Sequence, residues 1–338
     1  MKTKPYRAAI IGLGRIGFTL QYDRLREQPA SHTAAFGGNR RFRLAGGYDA
    51  DPARIAEWSF ANPGAKAYTS LGEMLGDGRW DVIAVAVDED EHWAVMRKVL
   101  PYRPRLVVLE KPVAPNLEAC RKIERLAEKY GVPVQVNHER RFSRDYIEVR
   151  RWIEDGRFGG LRTVKGEIYS NIPAWMKGDR KHAHGTILVD GTHLVDIVRF
   201  LTGGKTVLKK AREDLPDSAG NTGGITAVGH SGGASLALFF GYTTAHFTFE
   251  LDLVFENARV RIGNGVLELW ESRESPYYEG FYSLIRDKKV KPFRKSGYFA
   301  GMVKNCAEFL DGKSELGSPL SDGIRAVAVM EKLARKSG

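Results

Sequence analysis

Over its first 136 residues the chain alternates short, continuously apolar runs with amphipathic stretches, and few folds accommodate that pattern. The runs are Tyr6–Ile11, Phe42–Tyr48, Trp80–Val87, Leu106–Leu109 and Val132–Val136. A strand apolar on both faces must be covered on both faces, which is the condition of a parallel sheet between two layers of helix. The stretches between the runs supply those layers. Asp51-Pro52 opens one helix, with the acid as cap and the proline at the first position. Glu91–Leu100 is a second. Asn116–Tyr130 is a third, with Leu117, Cys120, Ile123, Leu126 and Ala127 on one face and Gly131 as its stop. After residue 137 the pattern changes. Asp145–Glu154 and Thr186–Leu201 read as helices and Leu161–Tyr169 as a strand. From Ile225 to Trp270 the chain meanders, with Phe247, Phe249, Leu251 and Leu253 alternating with Thr248, Glu250 and Asp252. Helices near 298–310 and 321–336 follow. The fold class predicted is α/β: a doubly wound parallel sheet over residues 1–136, then an α+β domain with a mostly antiparallel sheet over 137–338.

Length and charge narrow the function classes. A chain of 338 residues suits two domains. Its 43% apolar and 28% charged residues exclude disorder, collagen and coiled coil as the main architecture. No apolar window approaches a membrane span, the N-terminal stretch does not read as a signal peptide, and Cys120 and Cys306 are too few for a disulfide framework. A cytoplasmic, membrane-free protein is expected. The net charge of +11 is spread over both halves. The one basic cluster, 286–295, reads as a solvated loop, so no nucleic-acid partner is expected.

Gly12-Leu13-Gly14-Arg15-Ile16-Gly17 directly follows the first apolar run and matches G-x-G-x-x-G. Gly12 permits a tight turn, Gly14 lets the backbone approach a pyrophosphate, and Gly17 lets a helix pack closely on the strand. Backbone N–H groups at the helix start, those of Arg15 and Ile16 among them, then face the phosphates. Asp49 closes the second run. A carboxylate there accepts hydrogen bonds from the ribose hydroxyls of NAD and repels the 2′-phosphate of NADP, so NAD is the expected cofactor and NADP the less favoured one. Asp51 already fits the helix cap, which weakens a purely structural reading of Asp49. Asp49 stands 32 positions after Gly17, against about 20 expected. The surplus falls on Gln21–Ser31, read as an insertion into the first helix or the loop after it.

Four segments together resemble the Gfo/Idh/MocA oxidoreductase family, named for glucose–fructose oxidoreductase and inositol dehydrogenase. They are the glycine loop, Glu110-Lys111-Pro112, Asn137-His-Glu-Arg-Arg141-Phe142, and Asp190-Gly-Thr-His193-Leu-Val-Asp196. The resemblance implies a Rossmann domain, a second domain with a large open sheet that mediates dimers or tetramers, and a substrate lying between the domains. It implies an NAD-dependent oxidoreductase acting on a carbinol carbon of a sugar, sugar acid or cyclitol. Same-fold chemistry (glycosidic cleavage through transient oxidation, or biliverdin reduction) and a non-catalytic dinucleotide sensor are the alternatives. Glu110 and Lys111 then border the cofactor. Lys111 holds the reacting oxygen and His193 carries its proton. The family's aspartate usually lies four residues before that histidine. Here Asp190 lies three before; it either orients His193 and binds a substrate hydroxyl or caps the helix. Arg141 either contacts substrate or forms a salt bridge. His184, with His182, is placed at the substrate site; a metal centre would need a third ligand, and none is expected.

Overall fold

The computed structural model describes residues 4–170, 180–214, 224–241, 244 and 246–337. The chain forms two compact units. The first comprises the residues up to Phe142 together with Gly297–Val327, and the second Ser143–Ser296 with residues from Ala328 onward. One break at 136/137 does not capture this division, because the chain comes back to the first unit at residue 297.

In the first unit, strands β1 (Tyr6–Ile11), β2 (Phe42–Tyr48), β3 (Lys66–Tyr68), β4 (Val82–Val85), β5 (Leu106–Leu109) and β6 (Val134–Val136) form an all-parallel sheet in the order 3-2-1-4-5-6. That is the doubly wound dinucleotide-fold order, with its switch point between β1 and β4. The alternation of side chains along each strand builds two cores. Ala9, Ile11, Ile83, Val85, Val107 and Leu109 pack against helices α3 (Leu71–Gly76), α4 (His92–Val99) and α5 (Leu117–Tyr130). Ala8, Ile10, Val82, Ala84, Leu106 and Val108 pack against α1 (His32–Gly37) and α2 (Pro52–Ala61). Local chemistry ends these helices where the sequence predicts. Asp51 caps α2 by accepting the Ala53 N–H, Asn116 caps α5 by accepting that of Ala119, and Gly131 stops α5 at φ +64°.

The second unit contains α6 (Arg144–Glu154), β7 (Leu161–Tyr169), α7 (Arg180–Thr202) and strands β8 (Thr206–Asp214), β9 (Gly224–Ser231), β10 (Ala234–Gly241), β11 (Thr248–Phe255), β12 (Ala258–Gly263), β13 (Val266–Glu274) and β14 (Tyr282–Asp287). Its eight strands run in the order 14-13-12-11-7-10-9-8, antiparallel throughout except for the parallel pair β7–β10. The predicted alternation holds from Phe249 onward, with Phe249, Leu251, Leu253 and Phe255 buried and their neighbours half-exposed, whereas Phe247 precedes the strand and is exposed. The wetter face carries ion pairs, among them Arg259–Asp252 at 2.6 Å and Arg261–Glu250 at 2.5 Å. On the other face α7 comes close enough that a Cβ on Gly166 would stand 2.9 Å from Leu194. The basic cluster does not begin as a loop: Arg286 and Asp287 belong to edge strand β14, and Arg286 pairs with Glu268.

Helices α8 (Tyr298–Leu310) and α9 (Leu320–Ser337) complete the element list. Phe299, Met302, Val303, Cys306 and Leu310 of α8 join the core that holds Ile10 and Val108. Ile324 and Val327 of α9 join the opposite one. No helix among the described residues is long and apolar enough to cross a membrane.

Candidate active site

The glycine loop leaves β1 beside the end of β4. Gly12 takes φ +91°, and a Cβ there would sit 2.5 Å from the carbonyl oxygen of Ala86. A Cβ on Gly17 would lie 1.9 Å from the carbonyl oxygen of Gly12. Gly14 differs: the nearest atom is Nη1 of Arg54, 3.4 Å from the Cβ position. Two glycines are therefore demanded by the protein's own backbone, while the third keeps one face of the loop open. Arg15 is exposed and Ile16 packs toward the core that holds Phe18 and Phe36.

Asp49, buried at the end of β2, braces this loop. Its Oδ2 accepts the Leu13 N–H at 2.6 Å and its Oδ1 that of Asp51 at 2.9 Å. A carboxylate offers about four acceptor positions, so two remain for ribose hydroxyls. Arg54, on the first turn of α2, was not anticipated; its guanidinium lies 3.7 Å from Asp49 and 3.7 Å from Asp51. An open glycine face beside an acid with acceptor capacity to spare fits the phosphates and ribose of a dinucleotide.

The insertion interrupts the first helix rather than following it. The turn after Gly14 gives way at Thr19–Tyr22 to a short 3-10 helix, and α1 begins only at His32. The His32 N–H donates to Ile16 O at 3.0 Å and the Thr33 N–H to Gly17 O at 2.9 Å. In an uninterrupted helix residues 20 and 21 would make those two bonds. Residues 20–31 are thus a twelve-residue excursion from a helix whose ladder closes across it, and twelve is the surplus separating Asp49 from its expected position. Ser31 restarts the helix by capping Ala34. The Thr33 hydroxyl donates to Gly17 O and accepts from the Trp58 indole N–H, tying α1 and α2 to the loop.

The excursion returns the chain at His32, a fully buried residue whose Nε2 lies 2.6 Å from Oε1 of Glu110. Asn137 Nδ2 donates to the same oxygen at 2.6 Å, and the Lys111 backbone N–H reaches Oε2 at 3.3 Å. Burial pushes the Glu110 carboxyl up, but the bonds from His32 and Asn137 and the nearby cations outweigh it and hold it below its ordinary value. Glu110 is therefore an internal anion rather than an exposed cofactor contact. Lys111, half-exposed, follows it at the C-terminal end of β5. Glu139, in the turn after β6, is driven up by burial despite the charges of Arg140 and Lys111. His92 bridges the loops after β4 and β5, with Nε2 3.1 Å from Val87 O and Nδ1 3.1 Å from Val113 O. Arg141 forms a salt bridge, buried and not at the surface: Nη1 donates to Asp322 at 2.8 Å and to Gly317 O at 3.1 Å, clasping the start of α9.

In the second unit α7 carries the remaining candidates. The helix begins at Arg180, not near 186, so Asp190 lies inside it and does not cap it. Its Oδ2 accepts the hydroxyl of Ser170, at the end of β7, at 2.5 Å. His193 is half-buried one helical turn on, and Asp196 is buried. The side chains of His182 and His184 lie outside the described residues. Among the described residues no three His, Cys, Asp or Glu side chains group as metal ligands would.

Sequence reasoning missed His32, Ser170 and Arg54. For His32 a signal was available: with twelve surplus residues removed, it stands on the first helix one turn beyond the glycine loop. Ser170 carries no motif.

Two family profiles match the chain. Residues 6–138 match the oxidoreductase family with an NAD-binding Rossmann fold, and residues 146–261 match the GFO/IDH/MocA C-terminal domain. An inositol 2-dehydrogenase of Corynebacterium glutamicum is 24% identical over 65% of this chain and 61% of its own length. The rhizopine catabolism protein MocA of Rhizobium meliloti is 26% identical over 59% of this chain and 57% of its own. The chain therefore matches little more than half the length of these curated relatives. Among solved structures, the WlbA dehydrogenase of Bordetella pertussis, determined with NADH and UDP-GlcNAcA, superimposes with a TM-score of 0.80 at 20% identity, covering 100% of this chain and 96% of that one. At that identity the likeness establishes the fold.

Proposed function

Because the chain belongs to the Gfo/Idh/MocA oxidoreductase family, we propose that it is an NAD-dependent dehydrogenase acting on a carbinol carbon of a sugar, sugar acid or cyclitol. The observation that carries this reading is the arrangement at the carboxyl ends of the first sheet. Gly14 lies open after β1, Asp49 directly follows β2, and Lys111 follows β5 on a backbone anchored by the buried Glu110. Ligands of open α/β sheets bind beyond those strand ends. When bound, a nicotinamide supplies the hydride acceptor or donor. The protein's own residues do the rest. The glycine loop and Asp49 hold the dinucleotide. The Lys111 ammonium holds the substrate oxygen and stabilises charge growing there. His193 takes the hydroxyl proton, a task suited to an imidazole near neutral pH. Asp190, fixed by Ser170, orients His193 or a substrate hydroxyl. The inositol dehydrogenase among the relatives and the nucleotide-sugar ligand of the WlbA structure both support a polyhydroxylated substrate. The protein acts in the cytoplasm as a homodimer or homotetramer built on the eight-stranded sheet.

The test is a screen of inositols, sugars and sugar acids for NADH formation, run beside Lys111→Ala. Turnover of at least one compound is expected, with the variant binding NADH in calorimetry but losing activity by about a thousandfold or more. A protein that binds NADH yet oxidises nothing in the panel, or a fully active Lys111→Ala, overturns the proposal.

A further inference from the structure

Glu110 is an anion with almost no access to water, so the protein must meet its charge internally. Three donors do so: the imidazole N–H of His32, the side-chain amide of Asn137 and the backbone N–H of Lys111. Of these, only the imidazole can also carry a positive charge. It is held in place from two sides, stacked on Phe36 at 6.4 Å between centroids and met edge-on by Phe299 at 5.2 Å. Its other nitrogen, Nδ1, is buried with no hydrogen-bond partner, so Nε2 is the nitrogen that donates to the carboxylate. The helix that carries His32 is registered by its backbone on the glycine loop, through the bonds to Ile16 and Gly17. One hydrogen-bonded path therefore runs from the dinucleotide loop through His32 and Glu110 to the turn that presents Lys111.

We propose that His32 is a positioning residue for Lys111, acting through Glu110: the imidazole fixes the carboxylate, and the carboxylate fixes the backbone from which the lysine projects. The proposal rests on the reading of Lys111 as the group that holds the substrate oxygen. The charged and titratable groups around Glu110 are His32 from α1, Lys111 beside it, Glu139 with Arg140 from the turn after β6, and His92 from α4. His32 is among the groups that hold the Glu110 carboxyl low, so its removal lets that carboxyl take up a proton at higher pH.

The experiment compares wild type, His32→Leu, His32→Gln and Lys111→Ala on whichever polyol the screen identifies. It reads kcat and KM against pH, NADH affinity by calorimetry, and the Glu110 carboxyl directly by 13C NMR of glutamate-labelled protein. The leucine variant should lose about tenfold to a hundredfold in kcat, with KM and the NADH Kd within about threefold. The acid limb of its kcat/KM profile and the Glu110 titration should both move up by about one pH unit. Glutamine restores a donor but no charge. It should recover most of kcat while leaving the acid limb displaced. An unchanged limb and NMR titration in either variant overturns the proposal, as does a leucine variant whose only defect is a raised KM or Kd. Should the leucine variant fail to fold, the limb of the glutamine variant decides. Full activity in Lys111→Ala would instead sink the underlying assignment of the lysine, which keeps the two failures distinct.

Discussion

Gly14 and Gly17 stand three residues apart in one motif, yet the surrounding atoms ask different things of them. A methyl group on Gly17 would collide with backbone, the carbonyl of Gly12, which cannot withdraw. A methyl on Gly14 meets only the tip of the half-exposed Arg54 side chain. Gly14→Ala should therefore fold with nearly wild-type Tm while its NADH Kd rises about tenfold or more, because the added carbon occupies the space reserved for a pyrophosphate. Gly17→Ala should lower Tm by several degrees even without ligand. Thermal melts paired with calorimetry check both, and a Gly14→Ala protein that binds NADH normally would contradict the assignment of the loop. At this scale the sequence was informative where a residue's partner is nearby backbone: the glycine loop follows the first strand as its motif requires, and Asp51 caps α2 as its position before Pro52 predicts. It was silent where the partner is distant. His32 and Glu110 are 78 positions apart, and nothing in either segment announces the other.

Elements differ in legibility for a related reason. The strands that escaped prediction, β3, β8 and β14, all lie at sheet edges. An edge strand is paired on one side only and need not be apolar, as Lys209-Lys210-Ala211-Arg212-Glu213-Asp214 in β8 illustrates. The central strands, buried on both faces or alternating strictly, could be read at once. The interrupted first helix yields a prediction at this scale. Its ladder already closes from residues 16 and 17 to 32 and 33, so deleting residues 20–31 joins Thr19 to His32 in continuous helical register. The shortened protein should fold, keep its helical circular-dichroism signal and bind NADH within about tenfold of wild type, despite losing the buried Leu20. Loss of NADH binding in a folded deletion variant would show that the excursion itself holds the dinucleotide.

For the first unit as a whole, the C-terminal segment is structural. The sequence predicts α8 and α9 correctly as helices and misplaces α8 and the first half of α9, because periodicity reveals that a helix has an apolar face but not which sheet will cover it. The return is fastened by charge at two points. Arg141 holds Asp322, and Asp311 accepts from Arg41 and from the hydroxyl of Tyr6 at 2.7 Å. The bonds from Arg41, Tyr6 and Lys313 hold the Asp311 carboxyl far below the usual range. A depressed carboxyl contributes stability that is present above its unfolded pKa and is lost as pH falls through its folded pKa. Arg41→Ala should accordingly lower Tm near neutrality, and its difference from wild type should shrink as the pH drops through the carboxylate range and vanish in strong acid. A difference constant with pH would indicate lost packing instead.

The return of α8 and the first half of α9 to the first unit has a consequence for biosynthesis. When the ribosome has delivered residues 1–296, all six parallel strands exist, yet the apolar surfaces that Met302, Val303, Cys306, Ile324 and Val327 will cover remain bare. The part translated first stays incomplete until about thirty further residues emerge, exposing in the meantime apolar surface of the kind chaperones bind.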